Sequence, residues 1–436
     1  MSAINKGDHH RWLHGEIPAW VKAGIIDSDQ AEQLRQRYIL AKGVGWGRIV
    51  LSSIGAILVG LGVILLFAYN WEAMPKAVKL AVVFGALAVA HIAGLLVNRK
   101  ESNPIAGEGL HALGTMLFGA GIWLVAQIYH IDEHYPNAFI LWGMGALLMA
   151  WALPSLTQAL MAVALVIVWQ LTEVFDFRQA LHGAPWILLL GVFPLIWRLR
   201  SPVLAATATS ALIASLTLSA FRVDEELFAL IIILTSALFI AIGRLVEQYP
   251  KLALAETGQA FRQPALLAYF GMLYLLTFPD LAGDLLNLDL SSTWARAYLF
   301  GALIPALAAW GIVVLNRLRT GQLGESISDL VILASLLLVI IFAGLDIGHG
   351  NWMLSAPFNL LLLAQGLWLI IDGSRKVHSR MVVAGCLLLT LLAVSRYLDL
   401  FDSLLSRALV FFLIGGGLFM VGNFYNRQKQ HSGRGE

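Results

Sequence analysis

The sequence predicts an all-α, polytopic membrane helix bundle of about fourteen spans, both termini cytoplasmic, with a short N-terminal soluble helical hairpin. Three observations carry this prediction. Hydrophobic residues make up 59% of the 436 and charged residues 13%, whereas a soluble domain is about half apolar and a quarter charged. From Arg48 onward, apolar runs follow one another with short breaks, each near the length that a bilayer core of ~30 Å requires. Basic residues are also segregated: with the N-terminus inside, 22 of the 29 Lys and Arg fall on its side and seven opposite. The positive-inside rule reads that bias as an even number of spans. A net charge of +2 conceals this asymmetry.

Residues 1–47 form the soluble hairpin. Glu16 to Lys22 reads as a short helix stopped by Gly24, and a second begins near Asp27, with Gln30 at capping-box spacing. Ala31, Leu34 and Tyr38 share one face of it. The hairpin rests on the membrane surface or docks a partner protein. The N-terminus lacks the apolar core of a cleavable signal peptide, so the mature protein is expected to keep it.

The runs lie at about 48–69, 77–97, 109–129, 137–153, 155–173, 184–199, 202–220, 226–246, 264–280, 294–315, 327–344, 353–372, 380–398 and 404–424. They divide into an N-terminal membrane region (48–153), the remaining spans (154–426) and a basic cytoplasmic tail (427–436). Pro154 and Pro202 stand at helix starts, where a missing N–H costs nothing. The segment 247–263, with Lys251, Glu256 and Arg262 among Leu and Ala, reads as amphipathic and suited to the inner interface. Cys386 is the only cysteine. It excludes an intramolecular disulfide and a Cys-based metal site.

Small residues mark packing faces. Gly55 and Gly62, and again Gly114 and Gly121, are seven apart, and such faces bring helix backbones close in lipid. Thr207, Ser210, Ala214 and Thr217 form a small, hydroxyl-bearing stripe, whose hydroxyls can bond their own helix. Gln158, Gln170, Asn359 and Gln365 read as interhelical hydrogen-bonding groups. No Asp, Glu, Lys or Arg stands near the middle of any span, so a buried charge relay for an ion-coupled pump is not visible.

Intramembrane histidines are the sharper signal. His91 lies about six residues from the end of the second span and His111 about three into the third, so the imidazoles reach similar depth. They form either a satisfied polar pair or a proton-handling or ligand-binding pair. The richest constellation closes the third span: Gln127, Tyr129, His130 and His134, with Asp132 and Glu133 alongside and Asn70, Trp71 and Glu72 ending the first span on the same side. Gln127, His130 and His134 share a face if the helix continues to 134. Pro136 is expected to push Tyr135 out of helical geometry. The cluster reads as an interfacial belt, a pocket for a lipid head group or small solute, an acid–base site using Glu72 or Glu133, or a metal site. Its spacing matches no helical zinc pattern, and no catalytic residue, metal or cofactor is assigned.

GAILVGLGVILLFAYNW (55–71), LGTMLFGAGIWLVAQIYHI (113–131), PNAFILW (136–142) and the hairpin stretch WVKAGIIDSDQAEQL (20–34) together resemble domain-of-unknown-function family 2157. The resemblance covers roughly 15–150 and implies a bacterial inner-membrane protein with a cytoplasmic N-terminal hairpin. That family brings no activity to carry over. The expectation is a transporter or flippase of a lipid-linked or small polar substrate, with its polar site at the outer ends of spans 1 and 3. The alternatives are a regulatory or structural subunit docking another membrane or cytosolic protein through the hairpin, and a membrane enzyme. The bilayer is a partner in each case, and nucleic acid in none.

Overall fold

A computed structural model describes residues 16–37, 74–99, 104–131, 134–248, 257–284, 290–320, 327–344, 355–400, 412–413, 415–417 and 419–420. The chain divides into two compact units, Met1–Ala81 and Val82–Glu436. Among the described residues all regular structure is helical.

In the first unit, α1 (16–22) ends as its glycine predicts. Gly24 adopts φ 70°, Ile25 N–H bonds the Trp20 carbonyl at 3.0 Å and Gly24 N–H that of Val21 at 3.1 Å. These are the paired bonds of a Schellman stop, which needs the left-handed residue glycine supplies. Helix α2 (Ser28–Arg37) opens with a reciprocal capping box. Gln30 N–H donates to Asp27 Oδ1 at 2.7 Å, and Asp27 N–H to Gln30 Oε1 at 3.1 Å.

The remaining helices follow as α3 (Lys76–Arg99), α4 (Pro104–Tyr129), α5 (Pro136–Ala152), α6 (Leu156–Phe175), α7 (Ala184–Leu199), α8 (Pro202–Phe221), α9 (Leu227–Gln248), α10 (Gly258–Leu275), the short α11 (Pro279–Asp284), α12 (Thr293–Thr320), α13 (Ile327–Gly344), α14 (Ala356–Arg375) and α15 (Ser379–Leu400). Ser155 and Ser201 cap α6 and α8, each accepting a bond from the backbone N–H three residues on, and Pro202 occupies the first turn of α8.

Among the described residues, eight helices are long and apolar enough to cross a membrane, against the fourteen spans expected. Three kinds of local chemistry separate the numbers. Helices α5 and α7 are apolar but only Pro136–Ala152 and Ala184–Leu199 in extent, and α13 contributes only the apolar stretch Asp329–Leu338 among the described residues. Helix α10 begins six residues before the apolar run 264–280, so Gln259, Arg262 and Gln263 dilute it and the expected interfacial segment ends inside a helix. The expected first span lies outside the described residues, as does most of the last.

The core sits in the later helices. Helix α9 packs on α10, α12 and α8, and α10 packs on α8 and α14. Trp310 is the largest fully buried side chain among the described residues, and its indole N–H donates to the Ala237 carbonyl at 3.0 Å. Tyr269 and Ser335 hydrogen-bond within the same core. Small residues let these backbones approach, because lipid tails give apolar helices no reason of their own to associate. The Thr207, Ser210 and Thr217 hydroxyls each donate to a carbonyl of their own helix. Two amides join elements: Gln170 Nε2 donates from α6 to the Ser215 carbonyl and Ser219 Oγ on α8, and Asn359 Nδ2 on α14 to the Thr277 carbonyl.

Candidate functional site

The two intramembrane histidines meet. His91 Nδ1 lies 3.2 Å from His111 Nδ1, and the rings stack with centroids 5.5 Å apart. Glycines on the opposite helix make the room. A Cβ on Gly94 would lie 2.8 Å from the His111 ring, and one on Gly114 would lie 2.6 Å from the His91 ring. Gly121, in the same heptad row, faces Val83. His111 is 2% exposed, and its Nε2 makes no hydrogen bond. An orphaned N–H costs more than an orphaned lone pair that finds only apolar neighbours, so the economical tautomer has His111 donating through Nδ1–H to His91. A polar ladder continues toward α6: Thr115 Oγ1 donates to Gln158 Oε1 at 2.8 Å. One turn away, Glu108 accepts from Ser155 Oγ, Thr157 N–H and Thr157 Oγ1.

At the other end of α4 the predicted cluster divides. Helix α4 stops at Tyr129, and His130 turns to φ 52°, so the condition under which Gln127, His130 and His134 would share a face is not met. Gln127, Tyr129 and His130 are exposed. Tyr135 keeps α-helical angles (φ −59°, ψ −28°), contrary to the expectation from Pro136. Proline's steric bias against that region is a preference, and here Tyr135 serves as the N-cap residue of α5 with Pro136 in the first turn. Asn70, Trp71, Glu72, Asp132 and Glu133 lie outside the described residues. No group of three or more His, Cys, Asp or Glu suited to a metal occurs among the described residues.

His134 instead joins an acid on α6, and its neighbour Tyr135 joins a second acid at that helix's C-cap. The His134 Nε2–H donates to Glu173 Oε1 at 2.8 Å, and Glu173 is 4% exposed. Beside it the Tyr135 hydroxyl donates to Asp176 Oδ2 at 2.5 Å. Phe177 sets its edge against the His134 ring at 4.1 Å, which keeps water from one side of the pair. Glu173 and Asp176 were not singled out by the sequence. Their signal is hairpin register: His134 and Glu173 are nearly equidistant from the turn at 153–155, and an i, i+3 pair lies on one helix face.

The pair of contacts closes one end of an apolar cavity of about 390 Å³ between α3, α4 and α5. Val83, Phe84, Leu87 and Phe118 line its length, and His134, Tyr135 and Asn137 its polar end. A concave apolar surface with a few convergent polar groups is the usual form of a small-ligand site. The imidazole of His134, the phenol of Tyr135 and the amide of Asn137 are the hydrogen-bonding groups of the polar end.

These helices and this apolar, lipid-facing architecture define a polytopic helical membrane protein. Residues 18–159 match the family model described as "Predicted membrane protein (DUF2157)", in the N-terminal part of the 436-residue chain. The match takes in the hairpin, the paired histidines and the α5 end of the cavity, and stops just inside α6. No curated protein matches the chain, and no solved structure does.

Proposed function

We propose that the protein moves an amphipathic, lipid-linked substrate across the membrane as a transporter or flippase. The supporting observation is that the α3–α5 cavity is apolar along its length and polar only at the end formed by His134 and Tyr135. An acyl or isoprenoid tail suits the apolar length. A polar head group suits the hydrogen-bonding groups of His134, Tyr135 and Asn137. Of the residues the sequence singled out at the outer ends of spans 1 and 3, His134 carries this reading. Gln127, Tyr129 and His130 do not line the cavity and Asn70, Trp71 and Glu72 lie outside the described residues, while the His91–His111 pair would act as a second polar station toward the opposite end of α4.

The reading includes fourteen crossings with both termini cytoplasmic, the arrangement that places 22 of 29 basic residues on one side, and residence in a bacterial inner membrane. Its division remains hairpin 1–47, spans 1–4 over 48–153, spans 5–14 over 154–426, and a basic tail.

The test is lipid exchange in vesicles of phosphatidylethanolamine and phosphatidylglycerol holding the full-length protein and a fluorescent phospholipid confined to one leaflet. The expected result is exchange faster than in protein-free vesicles, slowed by Glu173→Gln and by Tyr135→Phe. Exchange at the protein-free rate would sink the proposal. A regulatory subunit is the second reading, favoured by the Schellman stop and capping box at the α1–α2 turn and by Ile25, 69% exposed there. It predicts a second protein that co-purifies with the full chain and is lost on Ile25→Glu.

A further inference from the structure

A second and larger cavity, about 640 Å³, lies among α7, α8, α9 and α12 and shares no residue with the first. Its wall on α7 runs from Pro185 through Leu189 and Phe193 to Trp197. At 1.5 Å per residue that is a slot ~18 Å long, close to the ~15 Å depth of one leaflet of a ~30 Å hydrocarbon core. Along α9 the lining continues from Ile231 to Val246.

Helix irregularities open the slot. Residues Ile187–Val192 of α7 form a π-helical turn, closed by Phe193 N–H bonding the Leu188 carbonyl. Pro194 follows directly; it has no N–H for the Leu190 carbonyl, and its ring crowds that carbonyl, so the helix widens there. The Trp151 indole N–H takes up the Gly191 carbonyl at 3.0 Å. Pro305 breaks the bonding of α12 on the facing wall. An expanded turn beside a cavity is a common device of binding sites.

One end of the slot is polar. His182 stacks flat on Trp294, with ring centroids 3.7 Å apart and planes at 7°, and its Nδ1 lies 2.9 Å from the Tyr298 hydroxyl. Burial lowers the His182 pKa below its ordinary value, so the ring is neutral. With the Tyr298 hydroxyl donating to Nδ1, Nε2–H is left to donate. A neutral N–H suits an uncharged acceptor such as an ester carbonyl better than it suits a phosphate, which is better met by a cation.

We propose that this slot holds one acyl chain of an ester-linked bilayer lipid, with its ester carbonyl at His182 and its tail running toward Trp197. The proposal does not depend on the transport reading, since a chain can be held here whether or not lipid crosses at α3–α5.

The test places the full-length protein in vesicles of phosphatidylethanolamine and phosphatidylglycerol containing a phosphatidylethanolamine with a photoreactive diazirine in its acyl chain. Irradiation and peptide mapping then locate the adducts. The expected result is enrichment on α7, α9 and α12 slot peptides over the lipid-facing surface of α3. Ala302→Trp, which fills the slot, should lower slot labelling about tenfold, the loss expected when a few chain methylenes are excluded. Labelling on α3 should stay unchanged, which also reports a folded protein. His182→Phe should keep labelling near Trp197 but spread it along the slot, because the head is no longer held. Gly301→Leu, a smaller filler, guards against misfolding of the tryptophan variant and should lower labelling in the same direction. Slot labelling no greater than on α3, or labelling unmoved by both fillers, would overturn the proposal.

Discussion

The Tyr135 hydroxyl donates to Asp176, and that bond, followed by partial burial and the charges of Asp176 and Glu173, holds the phenol pKa above the ordinary 10.0. A group whose pKa is raised by folding contributes stability that is full below its unfolded value and lost as pH rises through its folded value. The window therefore lies above pH 10.0. Asp176→Asn should bring phenol ionisation back toward that value, read as phenolate absorbance in a pH titration of the detergent-solubilised protein. An unchanged titration would remove Asp176 as the cause. His182 has the opposite sign. Its pKa is lowered from 6.5 by burial, so its contribution is full above 6.5 and falls as pH drops below it. The melting temperature should fall between pH 6.5 and more acidic pH, and His182→Phe should flatten that slope. These single-residue effects were partly legible. His134 stood out by its type and position, while its partner Glu173, lying 39 residues on in an apolar run, gained meaning only when α5 and α6 paired.

The α3–α4 pair is organised by one register. His91 and Gly114, Gly94 and His111, and Asn98 and Gly107 are each symmetric in sequence about the same point between the two helices, and in each pair the glycine faces the larger side chain. A methyl group added at Gly94 meets His111, which is buried, whereas one added at Gly114 meets His91, which is half-buried and can shift. Overpacking costs about 1–3 kcal/mol. Gly94→Ala should therefore destabilise the protein by the upper part of that range and Gly114→Ala by less, as read from thermal unfolding in detergent. Equal losses would mean that the two rings are equally free to move. The shared depth of the histidines was readable from their distances to the turn. The tautomer and the unpartnered Nε2 were not, because both depend on which side each helix turns toward its neighbour.

Across the whole molecule, one buried carboxylate ties three helices. Asp329 at the start of α13 pairs with Arg244 on α9 and Arg317 on α12, and it is 4% exposed. Removing one member of a buried charged network leaves the others uncompensated, at a cost of about 3–5 kcal/mol. Asp329→Ala should cost that much. Breaking Arg262–Glu247, whose side chains are 26% and 29% exposed, should cost about 0–1 kcal/mol. The comparison is made by thermal unfolding at low and high salt. Similar losses in the two variants would refute the assignment of Asp329 as the tie. Arg244, Arg317 and Asp329 stand at the ends of three helices far apart in sequence, so only the packing of α9, α12 and α13 brings them together.

What the sequence determined by itself is what depends on composition and local spacing. The helical membrane class follows from apolar length, the α1 stop from Gly24, the α2 start from Asp27 and Gln30, and the matching depth of His91 and His111 from counting to a turn. Each is a property of a few neighbouring residues or of a run. The tertiary structure alone decided that His134 leaves Gln127 and His130 for Glu173, that α10 starts before Pro264, and that α7 widens beside a chain-length slot. These outcomes rest on contacts between helices far apart in sequence. In lipid the hydrophobic effect does not select such contacts, and only side-chain fit and the satisfaction of polar groups can.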